Sequence, residues 1–561
     1  MSTDTTKDKL MKKILMIIGG TAHPFGRCAA IFKAAMEATG QFAVEVTQDR
    51  SGLTDLSGYD AVVMYTVGGE MTREQEQGLC GYVRGGGGLF AIHCANAEMG
   101  AFTEYQEMVG TRFTGHGPIA EFSVETMADC GDILPRLSPA FAITDEFYMV
   151  ERTTDADLRD FQHGTWQFAR HSLGYVRDYG EGRVLYTALG HDERAFAHVD
   201  FQDLCAKALR YICALNKEKT VRIGLLGYGP AFKMGNHHSD RIQATQGFEL
   251  VAVCDRDPAR LAAAKDEQGE HLAVFSDAEQ MAASGQIDLG IVILPHAYHA
   301  MGIKTLLAEG VHVITEKPFA VKVADCDEVI ALAKNKGAML SVYHNRHWDP
   351  DVLTLLHVIE SGLLGEVYSL ECNMVGYGRP GQAWRSHKPI SGGALYDMGA
   401  HQFEKVLQLL PKSNRKGEPI NREASLYGNF SKRHWYDTTN EDYIRAYARF
   451  DGGVEAQVVV SSLCAASKPL WTVLGTEGAA VIEDWGSGAQ VTSVDAAGVK
   501  REIHIPAVQK TNGYYKNVAD HLLCNLPLII TPEWAKGPIQ LIEGCEQAAN
   551  RDEVVKVSFD F

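Results

Sequence analysis

Glu316-Lys317-Pro318 follows the apolar run Val311-His-Val-Ile-Thr315, and Asp397 and His401 stand four positions apart in Gly392-Gly-Ala-Leu-Tyr-Asp-Met-Gly-Ala-His401. If that later stretch is helical, the carboxylate and the imidazole share one face. These three types of group can oxidise an alcohol. A histidine of near-neutral pKa takes the hydroxyl proton as hydride leaves, a carboxylate holds the ring, and an ammonium group polarises the substrate oxygen. Hydride needs an acceptor, and Gly227-Tyr228-Gly229-Pro230 offers a place for one, directly after the apolar run Val221–Leu226. Glycines let the backbone approach a pyrophosphate, while the next helix presents unpaired N–H groups to it. The third glycine of such a loop is missing, with Phe232 in its place and Gly235 as the substitute. Asp255 ends the run Val251-Ala-Val-Cys, 20 positions after Gly235. A carboxylate there accepts hydrogen bonds from ribose hydroxyls and repels a 2′-phosphate. Arg256 beside it can stack on adenine or meet a 2′-phosphate, so NAD is favoured and NADP is not excluded.

The elements that must position these groups begin twice. Lys12-Lys-Ile-Leu-Met-Ile-Ile-Gly-Gly20 is a short apolar run ending in glycines, and Phe42–Val46, Asp60–Met64, Gly88–Ile92 and Arg183–Leu189 repeat it between helical stretches. That alternation predicts a doubly wound α/β unit. After the polar bridge Asn216-Lys-Glu-Lys-Thr220 the pattern starts again at Val221 and runs to about Leu340. Beyond it, Val367–Val375, Asp442–Phe450, Val454–Ser461 and Trp471–Leu474 read as antiparallel strands, with a hairpin turn at Asp451-Gly-Gly453 and a last helix at Tyr514–Cys524. The expected organisation is a polar tail over 1–11, an α/β domain over 12–216, a nucleotide-binding domain over 217–341 and an α+β domain over 342–561.

Composition narrows the partners. The chain has 561 residues, and 53 basic against 71 acidic side chains leave a formal charge of −18, which disfavours nucleic acid and anionic membranes. Its polar start lacks a secretory apolar segment, and no run reaches membrane-spanning length. Twelve scattered cysteines without a C-x-x-C pair fit reduced thiols, so a cytoplasmic setting is expected.

With Ile293-Leu-Pro-His-Ala-Tyr-His299 and Val342-Tyr-His-Asn-Arg-His-Trp348 in register, residues 220–560 resemble the glucose–fructose oxidoreductase/inositol dehydrogenase family, also named for the rhizopine catabolism protein. The resemblance implies a Rossmann domain and a C-terminal α+β domain with an open antiparallel sheet that covers the substrate and mediates homo-oligomer contacts. It implies Lys317, Asp397 and His401 as catalytic residues. Gly227, Tyr228, Gly229, Pro230, Asp255, Arg256, Leu294, Pro295, His299, Glu316 and Lys317 are the expected nucleotide contacts. An aromatic face and guanidinium groups suit a sugar, which makes Arg346, Trp384 and Arg385 substrate candidates. The implied reaction is oxidation of a secondary hydroxyl of a sugar or glycoside, or reduction of the ketone. The alternatives are transient oxidation leading to elimination, epimerisation or glycoside cleavage, and a non-catalytic NAD-sensing scaffold.

Residues 12–215 resemble the trehalose-utilisation ThuA-like domain, itself similar to the class I glutamine amidotransferase fold. The resemblance rests on Gly19-Gly-Thr-Ala-His23, Gly85–Cys94, Phe113-Thr-Gly-His116, Asp145-Glu-Phe-Tyr148 and Tyr179–Asp192. Fusion to such a domain makes 3-keto-glycosides a plausible substrate class. His23, His93, His116, Glu146 and His191 are expected to converge on one polar pocket at the strand ends. Three chemistries compete for it: a divalent metal, which no local ligand spacing supports; Cys94 as an amidotransferase-like nucleophile, whose motif is not reproduced; and a sugar pocket using the histidines and Glu146. The third is the preferred expectation, with no metal.

Overall fold

The structure, a computed structural model, describes residues 11–67, 71–97, 103–215, 219–229, 233–381, 383–411, 420–509 and 513–560. The chain divides into two units, Met1–Lys219 with Asn517–Pro527 and Thr220–Lys516 with Leu528–Phe561. Residues 517–527 thus group with the first unit and not with the rest of 342–561.

In the first unit the strands are β1 (Lys12–Gly19), β2 (Phe42–Thr47), β3 (Ala61–Thr66), β4 (Gly88–Ile92), β5 (Thr111–Thr126), β6 (Ala140–Arg152), β7 (Arg159–Trp166), β8 (Ala169–Tyr179) and β9 (Gly182–Thr187). They form one sheet in the order β2-β1-β3-β4-β9-β8-β7-β5-β6. The first five of that order are parallel. β3 and β4 are buried along their whole length, which is why they read as unbroken apolar runs. The strand order turns back between β1 and β3, and in open α/β sheets the ligand groups gather at the carboxyl ends around such a point. The antiparallel extension β5–β8 goes beyond what the sequence predicts. β5 spans 16 residues, most of them exposed or half-buried, so it carries no apolar run.

The second unit opens with β10 (Val221–Leu226), β11 (Phe248–Cys254), β12 (Ala273–Phe275), β13 (Leu289–Val292), β14 (His312–Thr315) and β15 (Leu340–Val342). All are parallel, in the order β12-β11-β10-β13-β14-β15. This is the 3-2-1-4-5-6 arrangement of a Rossmann sheet, with its crevice between β10 and β13. Next come β16 (Val367–Val375), β17 (Glu423–Ser431), β18 (Tyr443–Phe450), β19 (Glu455–Ser461), β20 (Trp471–Gly475), β21 (Gly478–Ile482), β22 (Ala489–Val494), β23 (Lys500–Ile505) and β24 (Val555–Ser558). They make a nine-stranded sheet, antiparallel except that β16 and β19 run parallel. The Asp451–Gly453 hairpin joins β18 to β19, with the Phe450 amide donating to the Val454 carbonyl at 2.9 Å.

Two features of this unit position the site. Helix Ala400–Leu409 carries His401, and its Lys405 is wholly buried. Lys405 Nζ donates to both Asp351 oxygens at 2.7 and 2.8 Å, and Trp471 Nε1 donates to Asp351 Oδ2 at 2.8 Å. The 20-residue helix Pro532–Arg551 is absent from the sequence expectation because Gly537, Pro538 and Gly544 interrupt its pattern. Its start is nonetheless well specified: Thr531 Oγ1 accepts the Trp534 amide at 3.1 Å and Pro532 occupies the first turn.

Candidate active site

The nucleotide loop is built by β10 and β11. Gly227 sits at φ +103°, and a Cβ there would lie 2.6 Å from the Ile293 carbonyl oxygen, so only glycine fits the turn. Asp255 Oδ2 accepts the Tyr228 amide at 2.7 Å and Oδ1 accepts the Asp257 amide at 2.9 Å, which ties the end of β11 to the loop. A Cβ on Gly229 would meet no atom of the described residues within 4 Å, which leaves room there for close approach by a pyrophosphate. Gly235 does take the place of the missing third glycine in packing, since a Cβ on it would strike the Tyr228 ring at 2.5 Å. Arg256 is exposed. Pro230 and Phe232 lie outside the described residues.

Lys317 follows β14, on the same carboxyl edge of the sheet, and the Lys317–Pro318 peptide is cis. Glu316 is buried: its Oε1 faces His238 Nε2 at 3.0 Å and its Oε2 accepts the Lys317 amide at 3.1 Å. Burial would raise the Glu316 pKa, but His238, and then Lys317 and His299, hold it below the ordinary range. It steadies the Lys317 loop through charge and hydrogen bonds. His299, expected among the nucleotide contacts, is a strut instead: it is fully buried, with Nδ1 2.7 Å from the Pro318 carbonyl and Nε2 2.8 Å from the Leu294 carbonyl. Leu294 and Pro295 lie in the loop after β13 that this ring ties to the lysine loop.

Eighty positions along the chain, Lys317 meets Asp397: its Nζ donates to the Asp397 carbonyl at 2.7 Å and to Oδ1 at 2.9 Å. Asp397 lies in a π-helical turn, Leu395–Gly399, immediately before the α-helix that begins at Ala400. The sequence predicts a plain i, i+4 helical pair; the wider turn is the correction, and such turns recur at functional sites. Burial pushes the Asp397 carboxyl up, yet Lys317, His296 and Arg385 together hold it at about 2, below the ordinary 3.8. A depressed carboxyl stabilises the fold above about pH 4 and loses that contribution as pH falls toward 2. Over that window the unfolding free energies of the wild type and Asp397→Asn should converge by on the order of 2 kcal/mol, as measured by urea unfolding at stepped pH.

His401 is buried, and its Nδ1 has no hydrogen-bond partner among the described residues. Burial, and then the charges of Lys317 and Arg346, press its pKa well below the ordinary value, so the ring is neutral. His296, absent from the candidate residues the sequence offers, also belongs to this cluster. Its Nδ1 bonds the Ser391 carbonyl at 2.8 Å while its Nε2 stands 3.9 Å from Asp397 Oδ1. Trp384 stacks edge-on to His296 at 4.7 Å, and the Arg385 guanidinium lies over Trp384 at 4.3 Å with Nε 3.8 Å from Asp397. Both therefore border the Lys317–Asp397 pair. Arg346 instead covers Trp485, at 4.4 Å from the ring centre, a partner the sequence did not indicate.

In the first unit, one ring nitrogen each from His23, His93 and His191 lies within 4.8 Å of the others. Glu146 joins them, with Oε2 3.3 Å from His191 Nδ1 and 3.5 Å from His93 Nε2, and Oε1 2.7 Å from the half-exposed His116. The expected convergence is thus found. The expectation of no metal rested on the lack of a local ligand motif, and that ground is removed because the histidines come from loops after β1, β4 and β9. At the end of β4 it is His93, at φ +50°, that takes the left-handed turn, while Cys94 next to it is fully buried.

A six-stranded parallel sheet in the order 3-2-1-4-5-6, with a glycine loop after its first strand and a partly buried lysine–carboxylate pair beyond its carboxyl edge, defines a Rossmann-type domain. Family models agree in order along the chain: trehalose utilisation (ThuA) at residues 13–212, the oxidoreductase family with NAD-binding Rossmann fold (GFO/IDH/MocA) at 221–344, and the GFO/IDH/MocA C-terminal domain at 352–481. The chain is a ThuA domain followed by the two domains of the GFO/IDH/MocA oxidoreductase family, to which this second part belongs. Over 208 residues it is 34% identical to the uncharacterized oxidoreductase YdgJ of Escherichia coli, covering 37% of this chain and 56% of that protein. Several curated relatives are thus matched over only about half their length. It is 23% identical to the scyllo-inositol 2-dehydrogenase (NADP(+)) IolW of Bacillus subtilis over 369 residues, 60% of this chain and 96% of that one. The crystal structure of an NAD-binding protein from Listeria innocua matches with a TM-score of 0.53 at 25% identity, covering 61% of this chain and 97% of that chain. Among the described residues no helix is long and apolar enough to cross a membrane.

Proposed function

We propose that the second unit is an NAD(P)-dependent oxidoreductase acting on a secondary hydroxyl, or the corresponding ketone, of a sugar, cyclitol or glycoside. The observation that carries this reading is the Lys317–Asp397 pair, held one turn ahead of the neutral His401 at the carboxyl edge of the Rossmann sheet. When bound, nicotinamide supplies the hydride acceptor or donor. The chain's own residues handle charge and protons. Lys317 has two of its three N–H donors on Asp397 and keeps a third for the substrate oxygen. Asp397 remains ionised and fixes that ammonium. His401 takes the hydroxyl proton in oxidation and returns it in reduction. Arg385 and Trp384 offer a guanidinium fork and a ring face for neighbouring hydroxyls.

The relative IolW, named for an inositol and for NADP, supports polyol chemistry and leaves both nucleotides in play. Asp255 favours NAD. Asp255→Ala is expected to weaken NAD binding roughly tenfold and to raise the NADP-to-NAD preference by a similar factor, as read by titration of each nucleotide. A trehalose-utilisation domain on the same chain is the support for testing 3-keto-glycosides first in the substrate panel. Exposed Tyr368 on β16 and Tyr427 on β17 support homo-oligomer contacts through the C-terminal sheet, which light scattering would measure. The deciding experiment follows nicotinamide absorbance with disaccharides, their 3-keto forms and inositols. Turnover with one of these is expected, and tight nucleotide binding with no turnover on any of them would overturn the reading.

A further inference from the structure

We propose that His23, His93 and His191 form a binding site for a divalent transition metal of the zinc class in the first unit, with an open position facing Glu146 that takes an oxygen ligand. Three observations converge on it. First, ring nitrogens from all three residues lie within 4.8 Å of one another, close enough to meet on one ion after small ring rotations. Second, His23 Nδ1, His93 Nε2 and His191 Nδ1 are buried and make no well-aligned hydrogen bond among the described residues, the nearest acceptor for the last two being Glu146 Oε2 at 3.5 and 3.3 Å. Buried polar atoms are nearly always satisfied, and three imidazole nitrogens gathered beside one carboxylate without well-aligned hydrogen bonds suit a shared cation.

Third, the histidines are braced from behind as metal ligands are. His93 Nδ1 donates to the Ala188 carbonyl at 2.6 Å, which leaves the Nε2 lone pair for the cluster. The His93 carbonyl in turn accepts the Tyr186 hydroxyl at 3.0 Å. The buried Asp145 accepts the amides of Gly190 at 2.7 Å and of His191 at 2.9 Å, and the His191 carbonyl accepts the Tyr65 hydroxyl at 3.2 Å. The ligand-bearing turns are therefore fixed before any ion arrives. Three neutral imidazoles suit zinc, cobalt or nickel and not magnesium or calcium, which prefer oxygen donors. A three-histidine set leaves one tetrahedral position for water or for a substrate hydroxyl or carbonyl. Glu146, with one oxygen on His116 and the other facing the cluster, can accept the proton of a bound hydroxyl.

The test loads the untagged, full-length chain, stripped with a chelator, with cobalt(II) chloride. One equivalent is expected to bind, with the intense visible bands of four-coordinate cobalt and without a thiolate charge-transfer band. Zinc should displace the cobalt. His23→Ala and His191→Ala are expected to weaken binding by more than the roughly 10–100-fold that outer partners of metal sites contribute, while nucleotide titration of the second unit stays unchanged. Failure of the wild type to retain an equivalent, a six-coordinate spectrum, a thiolate band, or a variant that folds and binds as tightly as wild type would each overturn the proposal. The wild-type spectrum decides the matter even where a variant does not fold.

Discussion

Lys317→Met is expected to lower kcat by roughly 10²–10³-fold while leaving the nucleotide dissociation constant within about threefold of wild type. Methionine keeps the length of the side chain and removes the charge. The loss has two sources. The substrate oxygen loses the donor that would stabilise its developing negative charge, and Asp397 loses its nearest cation, with Arg385 and His296 left at 3.8 and 3.9 Å. The Asp397 carboxyl should therefore titrate higher in the variant, moving the acid limb of its residual activity upward. Arginine at position 317 is not expected to rescue, because a planar fork cannot reproduce two bonds to one residue and a third to substrate from a single nitrogen. Nicotinamide absorbance under saturating nucleotide measures kcat, and a variant within tenfold of wild type would remove Lys317 from the chemistry.

The largest effect on stability is expected at Lys405→Met, a loss of about 3–5 kcal/mol. Lys405 and Asp351 are both fully buried, with Asp349 3.3 Å from the ammonium. Removing the cation strands two almost inaccessible carboxylates, and among the described residues the Trp471 indole N–H remains on Asp351 Oδ2. Urea unfolding followed by tryptophan emission should show the midpoint fall. Activity should fall with it under conditions where the variant is still folded, since Lys405 sits one turn beyond His401 on the same helix. Adding Asp351→Leu to Lys405→Met should recover part of the loss, because an apolar pair of similar volume carries no desolvation cost.

What could be read from the sequence follows from burial. Strands covered on both faces, such as Ala61–Thr66 and Val221–Leu226, leave continuous apolar runs, and the glycines at their ends mark the loops where ligands bind. Lys317, Asp397 and His401 were visible because each sits in a motif of distinctive composition. Segments β5–β8 were not, since strands with one polar face and irregular register shifts imitate loops. Helix Pro532–Arg551 was hidden by its own Gly537-Pro538, which interior packing tolerates. The role of His299 as a strut depended on two carbonyls that only the folded backbone brings to its ring. The histidine trio was foreseen as a pocket, but its ligand-like geometry spans residues 23 to 191 and no local spacing encodes it.

The eleven residues Asn517–Pro527 limit how this polypeptide can be cut. Asp520, almost wholly shielded, receives Arg136 Nε at 2.8 Å and Lys207 Nζ at 3.1 Å, so the amino-terminal unit borrows a counter-charge encoded more than three hundred codons downstream. A gene fragment stopping near codon 219 would omit that anion and yield a product weakened at its base. Any attempt to study the two halves separately should graft this short strap back on, or co-express the remainder, before a silent fragment is taken as evidence of an inert one.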